Sequence, residues 1–123
     1  MSDLKRNDET ITIRGETYSL VYNMNVVDAI IDRFGSLRGM NEWEREEGRT
    51  EKEAIDVSLW LMTQIINEDI IERNENGENL KLYTPERLKR ELSVFRFKEI
   101  KQKLYAVAIN GLPQESGESN SKN

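Results

Sequence analysis

Thr50-Glu51-Lys52-Glu53-Ala54-Ile55-Asp56-Val57-Ser58-Leu59-Trp60-Leu61-Met62-Thr63-Gln64-Ile65-Ile66 is the stretch that decides the fold. Its first four residues are a capping box: the Thr50 hydroxyl accepts from the Glu53 amide while the Glu53 carboxylate reaches back to the Thr50 amide, so a helix begins here. Nine of the residues that follow, Ala54, Ile55, Val57, Leu59, Trp60, Leu61, Met62, Ile65 and Ile66, are apolar. Spaced this densely they cover most of the helix circumference, which means a helix enclosed on several sides rather than laid on a surface. It is expected at the centre of the core or of an oligomer interface. The pattern can run on through Ile70 and Ile71 until Asn74-Glu75-Asn76-Gly77-Glu78-Asn79 breaks it as a loop.

Upstream, Thr10 to Arg14 and Thr17 to Tyr22 are β-branched and aromatic on either side of Gly15-Glu16, the expected turn of a two-stranded hairpin. A lone hairpin is marginal, so Ile11, Ile13, Tyr18, Leu20 or Tyr22 should bury one face against helices. A helix is expected from an N-cap at Asn25, with Val27, Ile30, Ile31 and Phe34 at helical spacing and Gly35 as its stop. Leu37, Met40 and Trp43, three apart among charges, predict a short amphipathic helix within Ser36–Gly48. Downstream, Leu80 to Tyr83 alternates like a short extended piece. Thr84-Pro85 is a cap followed by proline at the first helical position, opening a short helix to Leu92. Ser93 can cap a last helix with Phe97, Ile100, Leu104, Val107 and Ala108 on one face, ending at Asn110-Gly111 before Pro113. The fold class read from this order is α+β and predominantly helical: an N-terminal β-hairpin followed by four to five packed helices. Residues 10–113 should form that single domain, between a polar, disordered N-terminus (1–9) and a disordered tail (114–123) of Ser, Asn, Gly, Gln and charge.

The chain has 123 residues, no Cys and no His, and a net charge of −5. Those zeros exclude disulfide frameworks, CxxC redox pairs, thiolate nucleophiles, Ser/His and Cys/His dyads and the usual structural zinc sites. No phosphate-binding or nucleophile-elbow motif occurs, so the chain reads as a non-enzyme without cofactor. Glu72-x-Asn74-x-Asn76-Gly77-x-Asn79 imitates the spacing of a calcium loop, but its twelfth position is Tyr83 instead of a bidentate carboxylate, and its first is Glu72. It reads as an Asn/Gly turn, and no metal is expected. Asp28 and Asp32, four apart, and Glu44, Glu46, Glu47 and Glu51 read as solvated faces. No apolar run is long enough to cross a bilayer and no secretory signal is present, which predicts a cytoplasmic protein.

Charge is unevenly spread. Residues 84–103 carry seven basic groups, Arg87, Lys89, Arg90, Arg96, Lys98, Lys101 and Lys103, against three acidic ones. On a wheel of the last helix the cations flank the apolar face on both sides, which suits stems lying along a hydrophobic contact better than a stripe for phosphates. Aromatics are enriched in interface cores. Trp43, on a short charged segment, is therefore the candidate exposed anchor. Phe95, Phe97 and Lys101 complete the partner-binding set, and Trp60 is assigned to the core.

The order hairpin (Thr10–Tyr22), helix ending Phe34-Gly35-Ser36-Leu37, very apolar Trp-containing helix (Ala54–Ile66), polar break, then Tyr83-Thr84-Pro85-Glu86 leading to helices that close Asn110-Gly111-Leu112-Pro113 resembles the small tail assembly chaperones of long-tailed phages and prophages. The likeness spans about residues 10–113. It implies a non-enzymatic role in tail morphogenesis: coating the long, helical, aggregation-prone tape measure protein and helping recruit tail tube subunits, with self-association expected and absence from the mature virion. A regulatory nucleic-acid-binding protein using the basic 84–103 segment, and a structural tail-completion or head–tail joining protein, are the alternatives. The charged Gly39–Gly48 and Asn74–Asn79 segments are longer and more polar than is usual for the family.

Overall fold

The computed structural model describes residues 9–111. Of the expected disordered ends, residues 1–8 and the whole of 114–123 lie outside the described residues, as do Leu112, Pro113 and the side chains of Val107 and Ala108. Glu9, assigned by sequence to the disordered end, instead extends the hairpin ladder, its carbonyl accepting from the Leu20 amide at 2.9 Å. Strands β1 (Thr10–Ile13) and β2 (Glu16–Ser19) pair antiparallel with Ile11 opposite Tyr18 and Ile13 opposite Glu16. The turn is one residue earlier than the sequence suggested: Arg14 and Gly15 are its central pair, with φ of 52° and 84°. Positive φ at both positions is what a two-residue type I′ loop demands, and it matches the right-handed twist of the strands. One face of the hairpin, Ile11, Ile13, Tyr18 and Leu20, is buried. Tyr22, half-buried, packs against the same cluster, and burial raises the pKa of its hydroxyl.

Helix α1 (Met24–Phe34) is capped by Asn23 rather than Asn25. The Asn23 Oδ1 accepts from the Asn25 and Val26 amides at 3.0 and 3.2 Å, which satisfies two of the helix's orphan donors. Gly35 ends α1 in the left-handed region and donates its N–H to the Ile31 carbonyl. Within the predicted 36–48 stretch, α2 (Gly39–Arg45) turns back on α1. The approach is tight at Gly39, where a Cβ would meet the Phe34 carbonyl oxygen and, at 2.8 Å, the Phe34 Cβ.

Helix α3 (Glu51–Glu75) has 25 residues, about 37 Å at the usual rise. Both halves of its capping box form, Thr50 Oγ1 accepting from the Glu53 amide and the Thr50 amide donating to Glu53 Oε1. That bond to the Thr50 amide is the main cause holding the Glu53 carboxyl below its ordinary pKa. Val57, Leu59, Leu61, Met62, Ile65, Ile66 and Ile70 are buried on several sides of the helix, as its apolar density requires. The helix enters the hexamer 74–79 before stopping: the Glu78 amide bonds the Arg73 carbonyl and the Gly77 amide bonds that of Asn74, with Gly77 at φ 105°. This is a Schellman stop, with glycine in the left-handed position.

Residues 80–83 form no strand. Two asparagines of α3, seven residues apart, take the place of a strand neighbour. Asn74 accepts from the Leu80 amide at 2.8 Å and donates to its carbonyl at 3.0 Å, and Asn67 does the same for Tyr83 at 2.8 and 2.9 Å. Thr84 Oγ1 caps α4 (Pro85–Glu91), and Ser93 Oγ caps α5 (Val94–Gly111) through the Arg96 amide at 3.1 Å. Around α3 as the shared spine, α1 docks through Asn23 and Asn25 on Glu68, α4 through Lys89 on Asp56, and the hairpin through the Ser19 amide on Asp69. Lys103 of α5 donates to the Thr10 carbonyl at 2.7 Å. The buried residues form one continuous cluster reaching from Ile11 to Leu104.

Candidate interaction surface

The four proposed contact residues have different surroundings. Trp43 is not an exposed anchor. Its ring is half-buried in the corner of α1 and α2, 6.0 Å from the Phe34 ring, and the Arg49 guanidinium lies over it at 4.0 Å while Arg49 Nε donates to the Trp43 carbonyl. Arg49, one residue past the charged segment that made Trp43 look exposed, is what covers it. Trp60 sits on the other side of Phe34 at 6.0 Å, edge to face, with Arg33 above it, and packs against the buried cluster. Phe97 faces inward with Ile100 and Leu104, also packing against the cluster. Phe95 faces out and is 76% exposed. Lys101, four residues on from Phe97, is exposed at the margin of the inward face of α5.

Two residues adjoining Phe95 were missed. Val94 is 74% exposed, and Lys98 stands beside it. At about 100° per residue Phe95 and Lys98 fall away from the inward line Phe97, Ile100, Leu104, while Val94 lies at its margin, about 60° from Phe97. An apolar residue off the apolar face is the signal that such a search needs.

Most cations of the 84–103 segment are spoken for. Arg87 Nε bonds Glu91 at 3.0 Å, Lys89 pairs with Asp56 at 3.5 Å, and Glu99 holds Arg96 at 2.6 Å and Lys103 at 3.5 Å. These neighbours hold carboxyls below their ordinary pKa, chiefly Arg87 for Glu91, Arg96 for Glu99, and Lys52 for Asp56. Arg90, Lys98 and Lys101 carry no ion pair among the described residues. The segment therefore presents scattered free cations, not the dense basic face that phosphate backbones select.

Two polar networks knit the interior. The Tyr18 hydroxyl donates to that of Tyr83 at 3.4 Å, Tyr83 donates to Glu91 at 3.0 Å, and the Arg87 guanidinium stacks 3.9 Å from the Tyr83 ring. Burial, with the Tyr18 and Glu91 bonds, drives the Tyr83 pKa far upward. In the second network, Arg73 donates to Thr17 O, Asp69, Glu16 and Glu78 at 2.9, 3.3, 2.6 and 3.0 Å. Its bonds to Glu78 and then Glu16 raise the arginine's pKa, and Arg73 in turn lowers that of Glu78. Each network joins the hairpin to the helices.

The loop that imitates a calcium site is committed internally: Asn74 to Leu80, Asn76 to the Glu72 carbonyl, and Glu78 to Arg73. No group of three or more His, Cys, Asp or Glu side chains placed to hold a metal ion occurs among the described residues. None of the described helices is long and apolar enough to cross a membrane. Asp28 and Asp32 are exposed on α1, and Glu46 pairs with Arg49. Comparison with protein-family models, with curated proteins and with solved structures yields no match to the chain.

Proposed function

We propose that this chain is a non-enzymatic tail assembly chaperone of a long-tailed phage or prophage, acting in the host cytoplasm on the tape measure protein and the tail tube subunits and leaving before the virion matures. The observation that carries the reading is the exposed surface of α5, which holds Val94 and Phe95, 74% and 76% exposed, and the unpaired Lys98 and Lys101. A holdase needs accessible apolar side chains kept soluble by charge, and an amphipathic partner helix with acidic flanks meets both requirements of this face. The order of hairpin, Phe34-Gly35-Ser36-Leu37 join, apolar α3 and Thr84-Pro85 start supports the same reading by resemblance.

Co-expression of the full chain with the tape measure protein encoded by the same phage or prophage tests it. Co-purification with increased tape measure solubility is the expected result, and Phe95→Ser should abolish it without loss of fold. Neither binding nor solubilisation from the unaltered chain would overturn the proposal. Mass spectrometry of mature particles should find the chain absent. Its presence there would favour a structural tail component.

A further inference from the structure

The stop of α3 holds a reactive pair. Asn76 and Gly77 are both exposed there, and a glycine directly after an asparagine leaves no side chain to screen its backbone nitrogen from the Asn76 Cγ. The folded chain keeps the two atoms apart. At ψ 17° the Gly77 nitrogen nearly eclipses the nitrogen of Asn76 itself, which turns it away from the Asn76 Cβ. The Gly77 N–H donates to the Asn74 carbonyl at 3.1 Å, and Asn76 Nδ2 donates to the Glu72 carbonyl at 3.1 Å. The Glu78 amide bonds the Arg73 carbonyl at 3.1 Å while the Glu78 carboxylate accepts from the Arg73 guanidinium at 3.0 Å, which closes the stop around the pair. The neighbouring asparagines do not share this chemistry. Asn74 and Asn79 precede Glu75 and Leu80, whose side chains hinder approach to the backbone nitrogen, and the Asn74 amide is already bonded twice to Leu80.

We propose that Asn76 is a site of spontaneous covalent modification, converting to aspartate and isoaspartate when the α3 stop opens. The Gly77 nitrogen gives up its proton to water and bonds to Asn76 Cγ, the Cγ–Nδ2 bond breaks, and Nδ2 leaves as ammonia. Water then opens the resulting five-membered imide. Attack at Cγ restores the main chain with an aspartate, and attack at the main-chain carbonyl carbon of residue 76 leaves the chain running through the side chain as isoaspartate. One water is consumed and one ammonia released, with no change of oxidation state. The product suits the stop less well than asparagine does. Its carboxylate cannot donate to the Glu72 carbonyl, and it adds negative charge at the C-terminal end of a helix whose last residues already include Glu72 and Glu75. Arg73 is bonded to Glu78 in the stop and to Glu16 in the hairpin, so a loosened stop is felt in β2. Because attack requires at least two of these hydrogen bonds to open, the folded chain should react at least about tenfold more slowly than the unfolded one. The inference is independent of the function proposed above, and its test needs no other protein.

The test is incubation of the full chain at mildly alkaline pH, folded in buffer and unfolded in urea, with samples digested by trypsin over time. Cleavage after Arg73 and Lys81 separates residues 74–81 from the other Asn-Gly pair, Asn110-Gly111, and fragmentation by mass spectrometry places the aspartate or isoaspartate. In urea Asn76 should react ahead of Asn74 and Asn79. In buffer its rate should fall by at least about tenfold. Hydrogen exchange at the Gly77 and Glu78 amides, read by nuclear magnetic resonance, reports the same opening, so its protection should match the slowing of the reaction within about fivefold. Asn76→Asp stands in for the product and should melt a few degrees below the unaltered chain. Equal rates in buffer and urea, reaction in urea at Asn74 or Asn79 before Asn76, or a mismatch with hydrogen exchange beyond that margin would each overturn the proposal. An Asn76→Asp variant as stable as the unaltered chain would overturn the loosening of the stop.

Discussion

Removing the Arg73 side chain should cost more than any other exposed-charge substitution in this protein. Its guanidinium is the tie between β2 and the last turns of α3, bonding Thr17 O, Glu16, Asp69 and Glu78. The Glu16 and Glu78 side chains are 40% and 47% exposed, so in Arg73→Ala each loses a pair of the surface kind, roughly 0–1 kcal/mol. Asp69 is different, with a side chain only 8% exposed. Without Arg73 its carboxylate keeps the Ser19 amide at 3.1 Å as its remaining donor, and an under-satisfied buried acceptor costs about 1–3 kcal/mol. The total is about 1–5 kcal/mol, or a fall of roughly 5–25 °C in Tm for a domain of this size. Thermal and urea denaturation followed by far-ultraviolet circular dichroism measure it. Adding Asp69→Asn to Arg73→Ala should recover part of the loss by removing the unmet charge. A cost below about 0.5 kcal/mol for Arg73→Ala, or no recovery in the double variant, would refute the assignment of the energy to Asp69.

Met62 is 0% exposed at the centre of α3, so Met62→Ala should cost about 2–5 kcal/mol, read from the urea midpoint. Arg14→Asn should raise Tm, because φ of 52° is tolerated better by Asn than by Arg and Asn-Gly is the preferred pair of a type I′ turn; a gain of a few tenths to about 1 kcal/mol is expected. Stability should fall on acidification. Glu78, Glu91, Glu99 and Asp56 have folded pKa values below their ordinary ones, so the unfolded chain binds more protons and stability rises with pH. Their contribution is complete above about pH 5 and is lost as pH drops through the lower folded values, while the absence of His leaves Tm nearly flat between about pH 6 and 8. A Tm series across pH checks both arms.

The parts of the fold legible in the sequence are those whose signal is local. The capping box at Thr50, the caps at Thr84 and Ser93 and the stop at Gly35 each depend on residues within four positions, and all four form. The misreadings arise where tertiary contacts choose between equivalent local options. Asn23 and Asn25 both suit an N-cap; Asn23 takes the cap, and both side chains donate to Glu68, at 2.8 and 3.1 Å, a partner 45 and 43 residues away. The hairpin turn could fall at Arg14-Gly15 or Gly15-Glu16, and because those registers differ by two residues, both keep the same side chains inward. What separates them is the Thr12 and Thr17 hydroxyl pair at 2.8 Å on the outer face and, on the other face, Glu16 reaching Arg73. Of the candidate surface, Phe95 was readable as lying outward, and Lys101 as flanking the apolar face. The cover on Trp43 was not readable, because it comes from Arg49, one residue past the charged segment that holds the tryptophan.

The hold that Asn67 and Asn74 keep on residues 80–83 has a consequence for how this protein can vary. Both grip main-chain atoms, which every amino acid except proline supplies alike. Lys81 and Leu82, exposed between the two grips, can therefore be exchanged freely while the segment stays in place. An Asn67→Asp or Asn74→Asp change, almost identical in shape, would set a carboxylate against a carbonyl oxygen and let go one end of the segment. Spelling is free between the two grips and fixed on α3, where the asparagines that make them stand.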